Sequence, residues 1–544
     1  MPVAEEILAR LETLNAIGVA LSSEKDLLTL LERILEAARE FAGADGGTLY
    51  RVDGDALVFE VLRNDSLGFF MGGRRGAPIT FPPVPLHLPD GSGNHAMVVA
   101  HCALTGQTIN IPDAYQAAGY DFSGTRAFDA RTGYRSQSFL TVPMKDHEGR
   151  VIGVLQLINA KDAAGRVRAF SAADQRLVES LASQAAIALN NRLLLEQMEK
   201  LFESLIELIN TAIDEKSPYT GGHCQRVPVL TMMLAEAAAR VTEGPLAGFT
   251  MSEADRYELK IAGLLHDCGK ITTPVHVVDK ATKLQTLFDR IELIDTRFEV
   301  LLRDAEIAHL KGEIDAEALA ARVAQLESDR AFLRRANTGG ESMADADIAR
   351  IQAIAAYRWQ PRGGREQDFL SADEVENLSI RRGTLNRAER EIINHHIVMT
   401  IRMLEALPWP PHLARVPEYA GGHHERMDGK GYPKGLTREQ LSIPARVMGI
   451  ADVFEALTAR DRPYKPGKTL SESLAILGRM KVENHIDPDL FDVFLKEGVW
   501  RDYAERFLEP EQIDEIDWSQ IPGVGPELAA ELAAGDAARR KARS

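Results

Sequence analysis

The chain has 544 residues, 45% of them hydrophobic and 26% charged, with a formal net charge of −17. Single hydrophobic cores stop growing at roughly 250–300 residues, so more than one domain is expected. The acidic balance excludes a long nucleic acid as the main partner, because phosphate-backbone binding draws on Lys and Arg, and three scattered cysteines, Cys102, Cys224 and Cys268, exclude a disulfide framework or zinc ribbon.

The first residues hold early glutamates and no basic stretch, a poor signal peptide. No uncharged apolar run is long enough for a membrane span, so no membrane association and a cytoplasmic location are expected. One or two helices are predicted over 4–41, from Leu8, Leu11 and Leu14 and then Leu27, Leu30, Leu31, Ile34, Leu35 and Ala38. Strands follow in TLYRVDG and ALVFEVLR, with a hairpin-like turn at Asp53 and Gly54. The Gly- and Pro-rich stretch 64–95 reads as loop. SQSFLTVPMKDHEGRVIGVLQLINA reads as two more strands across a turn at Glu148–Gly149, and a helix follows from Ala172 to about Leu189. This order predicts an α+β domain with one antiparallel sheet flanked by helices.

FDARTGYRSQSFLTVPM, GVLQLINAKD and FSAADQ make roughly residues 10–190 resemble a GAF domain, a small-molecule sensory module. Asn159, Lys161, Phe170 and Asp174 are similar to a signature of its cyclic-nucleotide-binding members, although Gln175 replaces an acidic residue of that signature. The resemblance implies an unidentified small ligand at these four residues; structural turns and a cap are the alternative reading.

Leu194, Met198, Leu201, Leu205, Leu208 and Ala212 then step by four and three, the a/d spacing of a coiled coil, and predict a linker helix that pairs two chains as a parallel homodimer. From Asp214 on, the pattern is helical. Leu287, Ile291, Ile294, Phe298 and Leu301 form one apolar stripe, and Leu319, Val323, Leu326 and Leu333 a second, which together predict an antiparallel helical hairpin. The expected architecture is multidomain: an α+β sensor over 1–190, a coiled-coil linker over 191–212, an all-α domain over 213–508 with an insertion at about 285–384, and a tail over 509–544.

The chemistry-bearing residues fall in that all-α part. YTGGHCQRV (219–227), LLHDCGK (264–270), NHH (394–396), HHERMDGKGYP (423–433) and IADVFEAL (450–457) supply imidazoles and carboxylates in the numbers that a two-metal hydrolytic site requires. An Asp has two oxygens and can bridge two ions, which a histidine with one free ring nitrogen cannot. HDCGK resembles the motif of the HD metal-dependent phosphohydrolases. HHERMDGKGYP, continued by IPARVMGIADVFEALTARDRPYK, resembles the HD-GYP branch of that superfamily.

That branch hydrolyses the bacterial second messenger cyclic di-GMP, and the resemblance implies the same activity here, with pGpG or GMP as product. It implies metal ligands at His223, His266, Asp267, His396, His423, His424 and Asp452, with Asp267 bridging and with His266 and Asp267 essential to catalysis. Read against LNRAEREIINHH, it selects His396 over His395, which helix phasing alone does not. It places Lys270 near the attacking hydroxide and the scissile phosphate, Arg462 and Lys465 on substrate phosphate (a solvated basic loop is the alternative), and Gly431, Tyr432 and Pro433 beside the substrate. Members with a third metal have a glutamate where Tyr219 stands, so two metals are expected. The nitrogen-rich set suits Fe or Mn.

The alternatives are an HD phosphohydrolase for another cyclic or linear nucleotide and a catalytically weak cyclic-dinucleotide-binding protein. Signalling partners docked on the GYP loop are compatible with all three. IPGVGPELAAELAAG (521–535) is faintly like a helix-hairpin-helix DNA-binding turn, which the acidic chain argues against.

Overall fold

The computed structural model describes residues 15–216, 222–340, 342–361, 363–460 and 467–543, with side chains as far as 539. It divides into two compact units, Met1–Glu203 and Ser204–Ser544.

In the first unit the helix Leu27–Ala42 starts at Asp26, whose carboxylate accepts the Thr29 N–H, and stops at Gly43 in the left-handed region. Eight strands follow: β1 (Ala44–Asp53), β2 (Ala56–Asn64), β3 (Phe69–Gly72), β4 (Val84–Pro85), β5 (Ile109–Ile111), β6 (Phe139–Lys145), β7 (Val151–Lys161) and β8 (Val167–Arg168). The main path runs β3-β2-β1-β7-β6-β5, and its pairings are antiparallel. Strand alternation splits the core in two. Leu49, Leu155 and Leu157 face Leu31, Ile34 and Leu35 of the 27–42 helix and Val178, Leu181 and Leu189 of the long helix. Tyr50 and Val154, one position along, face Val99 and Cys102 of the helix Val98–Thr105. The expected hairpin is present, with Asp53 opposite Ala56. The expected loop over 64–95 also holds β3 and β4, whose short runs carry no alternation to read. The helix from Ala172 and the linker helix form one unbroken helix, Ala172–Lys216. Leu194, Met198, Leu201, Leu205 and Leu208 are exposed along it.

The second unit is helical. The helices His223–Ala239, Glu253–Leu265, Arg387–Glu405 and Ile443–Thr458 surround the candidate site. The 253–265 helix opens with a capping box at Ser252 and Asp255. It ends at His266, where the chain tightens into the turn Cys268–Thr272. That turn lies on the 387–405 helix: the Thr400 hydroxyl accepts the Gly269 N–H at 2.9 Å. A Cβ on Gly269 would stand 2.5 Å from Thr400 N, so this approach requires glycine.

The insertion forms the expected hairpin from the helices Ile291–Leu310 and Ala316–Asn337, tied by Arg330 to Asp295 and Glu299. It has its own core, in which Ile294, Phe298, Leu326 and Leu333 meet Ile351, Phe369 and Leu378. Leu287, expected in its first stripe, lies before the helix and is 95% exposed.

The region expected as a tail is docked. The Trp518 ring lies 5.4 Å from Trp500, its N–H donates to Asp536, and the buried Gln512 amide donates to the carbonyls of Thr458 and Lys468. A Cβ on Gly478 would collide with Pro522, so the IPGVG turn rests on the helix Leu470–Val482.

Candidate metal centre

His223, His266 and His423 lie at or just past helix ends, and His396 lies within the 387–405 helix. His266 Nδ1 meets the carbonyl of Gly263 at 2.7 Å, His396 Nδ1 that of Ile393 at 2.5 Å, and His423 Nδ1 that of Ala420 at 2.7 Å. The three share one geometry, a ring N–H donating to the carbonyl three residues back, which leaves Nε2 with its lone pair facing the site. His223 differs: its Nδ1 is hydrogen-bonded to the carboxylate of Glu455, whose other oxygen is held by Arg226 at 2.7 Å.

The Nε2 atoms converge on the carboxylates. Asp267 Oδ2 lies 3.2 Å from His223 Nε2 and 3.3 Å from His266 Nε2, and Asp267 Oδ1 lies 3.3 Å from His396 Nε2. Asp452 Oδ1 stands 3.3 Å from His223 Nε2 and 3.8 Å from His266 Nε2. His424 Nε2 is 3.2 Å from His396 Nε2. Two groups have ligand atoms within 4.8 Å of one another, His223 with His266 and Asp267, and His396 with His423 and His424. The two oxygens of Asp267 face one group each. His396 is buried here while His395 is exposed.

Electrostatics and burial fit a cation. His266 Nε2, His423 Nε2 and Asp267 Oδ1 are buried with no hydrogen-bond partner. Each such atom would cost about 1–3 kcal/mol without a partner. Burial, foremost, pushes the His423 imidazole down to about 4 and the His424 imidazole well below its ordinary value. Both rings are therefore neutral lone-pair donors. Burial opposes charge on Asp267, yet Lys270 and His266 outweigh it and hold that carboxyl well below the usual range. Asp452 is held down as well, against burial, by its contact with His223. Lys270 reaches the Asp267 carboxylate with its ammonium, and Asp267 and Asp452 keep it protonated despite burial.

The motif loop is built around Glu425. Its two oxygens accept the backbone N–H groups of Lys434 at 2.8 Å and Leu436 at 2.9 Å. Gly431 packs on the backbone of Glu425 and Arg426, where a Cβ would stand 2.5 Å from Glu425 Cα. The result places the Tyr432 ring flat over His424, with centroids 4.8 Å apart and planes 20° apart. Tyr432 and Gly431 line a cavity of about 480 Å³ that reaches His424 and Asp452. Pro433 follows on the same loop through a cis peptide. Tyr219, Arg462 and Lys465 lie outside the described residues.

Glu455, Glu425 and Thr400 are functional neighbours that motif reading passed over. The signal for Glu455 is its spacing, three positions after Asp452 on one helix face.

The four residues expected at a ligand in the first unit are engaged inside that domain. Asn159, at φ 58°, accepts the N–H groups of Gln137 and Ser138 and donates to Tyr134 and to the carbonyl of Arg135. Lys161 pairs with Asp45, Phe170 lies in the core, and Asp174 caps Ser171 and binds Arg168.

Three domain models match the chain: a GAF domain over residues 26–189 and HD domains over 220–338 and 372–490. Among curated proteins, the chain is 25% identical over 294 residues to 3'3'-cGAMP-specific phosphodiesterase 3 of Vibrio cholerae, covering 54% of this chain and 38% of that protein. It is 36% identical over 133 residues to 3'3'-cGAMP-specific phosphodiesterase 1 of the same organism, covering 24% and 30%. It is 45% identical over 74 residues to a cyclic di-GMP phosphodiesterase of Pseudomonas aeruginosa, covering 14% and 17%. The chain thus spans well under half the length of these relatives. No helix among the described residues is long and apolar enough to cross a membrane. The chain joins an N-terminal GAF domain to a helical HD domain.

Proposed function

We propose that this protein is a metal-dependent phosphodiesterase of the HD-GYP type that hydrolyses cyclic di-GMP to pGpG, GMP or both. The observation that carries the reading is the placement of Asp267, whose two oxygens face two separate groups of imidazoles. The ligands are His223, His266, Asp267, His396, His423, His424 and Asp452, and the nitrogen-rich set suits two Fe or Mn ions. Bound metals would supply Lewis-acid charge to the phosphodiester and make a water acidic enough to attack near neutral pH.

The chain's own residues do the rest. The Nδ1 hydrogen bonds of His266, His396 and His423 hold each ring in one tautomer, so the site needs little reorganisation on loading. Lys270 keeps a fixed positive charge beside the bridging carboxylate, where a phosphoryl oxygen gains negative charge as the leaving 3′-oxygen departs. The loop of Gly431, Tyr432 and Pro433 walls the substrate, and Arg462 and Lys465 bind its phosphates. Two further readings accompany this one: the GAF domain takes a small regulatory ligand, and the exposed leucine stripe pairs two chains in parallel. The GYP loop is a candidate surface for signalling proteins, and three free, buried cysteines suit the cytoplasm.

The names of two Vibrio cholerae relatives favour 3'3'-cGAMP as a second substrate. The test is the full chain loaded with Mn²⁺ or Fe²⁺ and incubated with each dinucleotide, with products separated by chromatography. Turnover of neither, alongside cleavage of bis(p-nitrophenyl) phosphate, refutes the dinucleotide reading.

A further inference from the structure

The lining of the cavity beside the metal centre is of two kinds. One is apolar: Val453, Ala456 and Leu457, from one helix, with the ring of Tyr432. The other holds donors: Arg426, Lys468 and His485. Arg426 is fixed by Asp428, its two nitrogens 3.1 and 3.0 Å from the carboxylate oxygens. His485 lies outside every motif, yet its backbone is keyed to the motif loop. The Met427 N–H donates to the His485 carbonyl, and the Asp428 N–H to that of Asn484, which sits at φ 52°. This turn presents the His485 ring to the cavity. Burial foremost and the charge of Arg426 push that imidazole down, so it is neutral at pH 7; no hydrogen bond is among the influences on it. Among the described residues the ring has no hydrogen-bond partner, and a half-buried imidazole so placed in a ligand-sized cavity can recognise a ligand.

The donors select among bases. Guanine presents two acceptors, O6 and N7, on one edge, whereas adenine puts an amino donor at position 6, opposite Arg426 and Lys468. Resting on the phosphodiesterase reading above, we propose that this cavity takes the guanine base of a nucleotide whose phosphate lies at the metal centre, with the His485 N–H donating to guanine O6. His485 is then a specificity-determining residue, and the accepted substrates are those with guanine in this arm, which includes both dinucleotides named above.

The test is calorimetric binding of GMP and of AMP to the full chain loaded with Mn²⁺. One well-placed hydrogen bond and one avoided donor clash correspond to at least about tenfold. The wild type is expected to bind GMP at least about tenfold tighter than AMP, and His485→Phe to bring the two within about twofold. His485→Gln, which keeps an N–H donor, is expected to retain most of the preference, and His485→Ala repeats the test with a smaller side chain. A wild type without preference, or variants that weaken GMP and AMP equally, overturns the proposal. Cyclic di-GMP turnover is measured in parallel. Turnover without GMP preference sinks this inference alone, and GMP preference lost in His485→Phe without turnover sinks the parent reading alone.

Discussion

The carboxylate of Glu455 accepts the Nδ1 hydrogen bond of His223 and so turns Nε2 of that ring toward Asp267 and Asp452. The other ring nitrogens that are fixed use backbone carbonyls, so His223 is the ligand whose orientation depends on a replaceable side chain. Glu455→Ala is therefore expected to lower Mn²⁺ affinity about 10–100-fold. Equilibrium dialysis with elemental analysis measures it, and native affinity in the variant would remove Glu455 from the site's support.

Replacing His266 and Asp267 together by Ala removes a ligand from one group and the bridge between both. Hydrolysis should fall to background while far-UV circular dichroism stays that of the wild type, because both residues follow the end of the 253–265 helix. A fully active double variant would refute the metal assignment.

Gly431→Ala tests the loop rather than the ligands. The added methyl meets the backbone of Glu425 and Arg426, and the loop must shift to admit it. Overpacking of this kind costs about 1–3 kcal/mol, and a displaced Tyr432 should lower kcat/KM at least about tenfold, since small misplacements at a site are costly. Unchanged metal content would place the defect on the substrate side.

The leucine stripe of the long helix is exposed in a single chain, with Met198 67% and Leu201 62% accessible. Leu201→Lys with Leu205→Lys puts like charges across any parallel seam. Sedimentation velocity should read a dimer for the wild type and a monomer for the double variant. A monomeric wild type at micromolar concentration would end the dimer proposal.

Lys283 is buried in the insertion, its ammonium on the carbonyl of Leu378 at 2.9 Å, and burial pushes it down to about 8. Its unfolded value is near 10.4. Between these limits the unfolded chain holds the proton that the folded chain has lost, so stability rises with pH from about 8 to about 10 and is level below. Hydrogen exchange over 291–337 reports it. Protection relative to Lys283→Met should grow from pH 7.5 to 9.5, and a flat difference would contradict the assignment.

Much of this was legible in the sequence for identifiable reasons. The apolar run GVLQLINA after the turn at Glu148–Gly149 predicts β7, and the clustered motifs predict seven side chains that the fold brings together. The family pattern selects His396 over His395, and helix phasing alone does not; in the fold His396 is buried and His395 exposed. The missed parts depend on contacts between distant segments. Glu425 reads as a motif letter until the N–H groups of Lys434 and Leu436 are placed on it. His485 and the docked Trp518 carry no local signal, because their partners lie elsewhere in the chain. Leu287 misled because the four-and-three count extends one step past the start of its helix at Ile291.

The insertion leaves and rejoins the helices of the second unit at almost one point. The Thr384 hydroxyl donates to the carbonyl of Lys280 at 3.0 Å, and the Lys280 ammonium is clasped by Glu389 at 2.7 Å. With its own apolar centre and paired stalks, the module hangs from the HD scaffold like a charm from a clasp. Evolution, or an engineer, could exchange it for another folded unit with closely spaced ends and leave the geometry around Asp267 undisturbed.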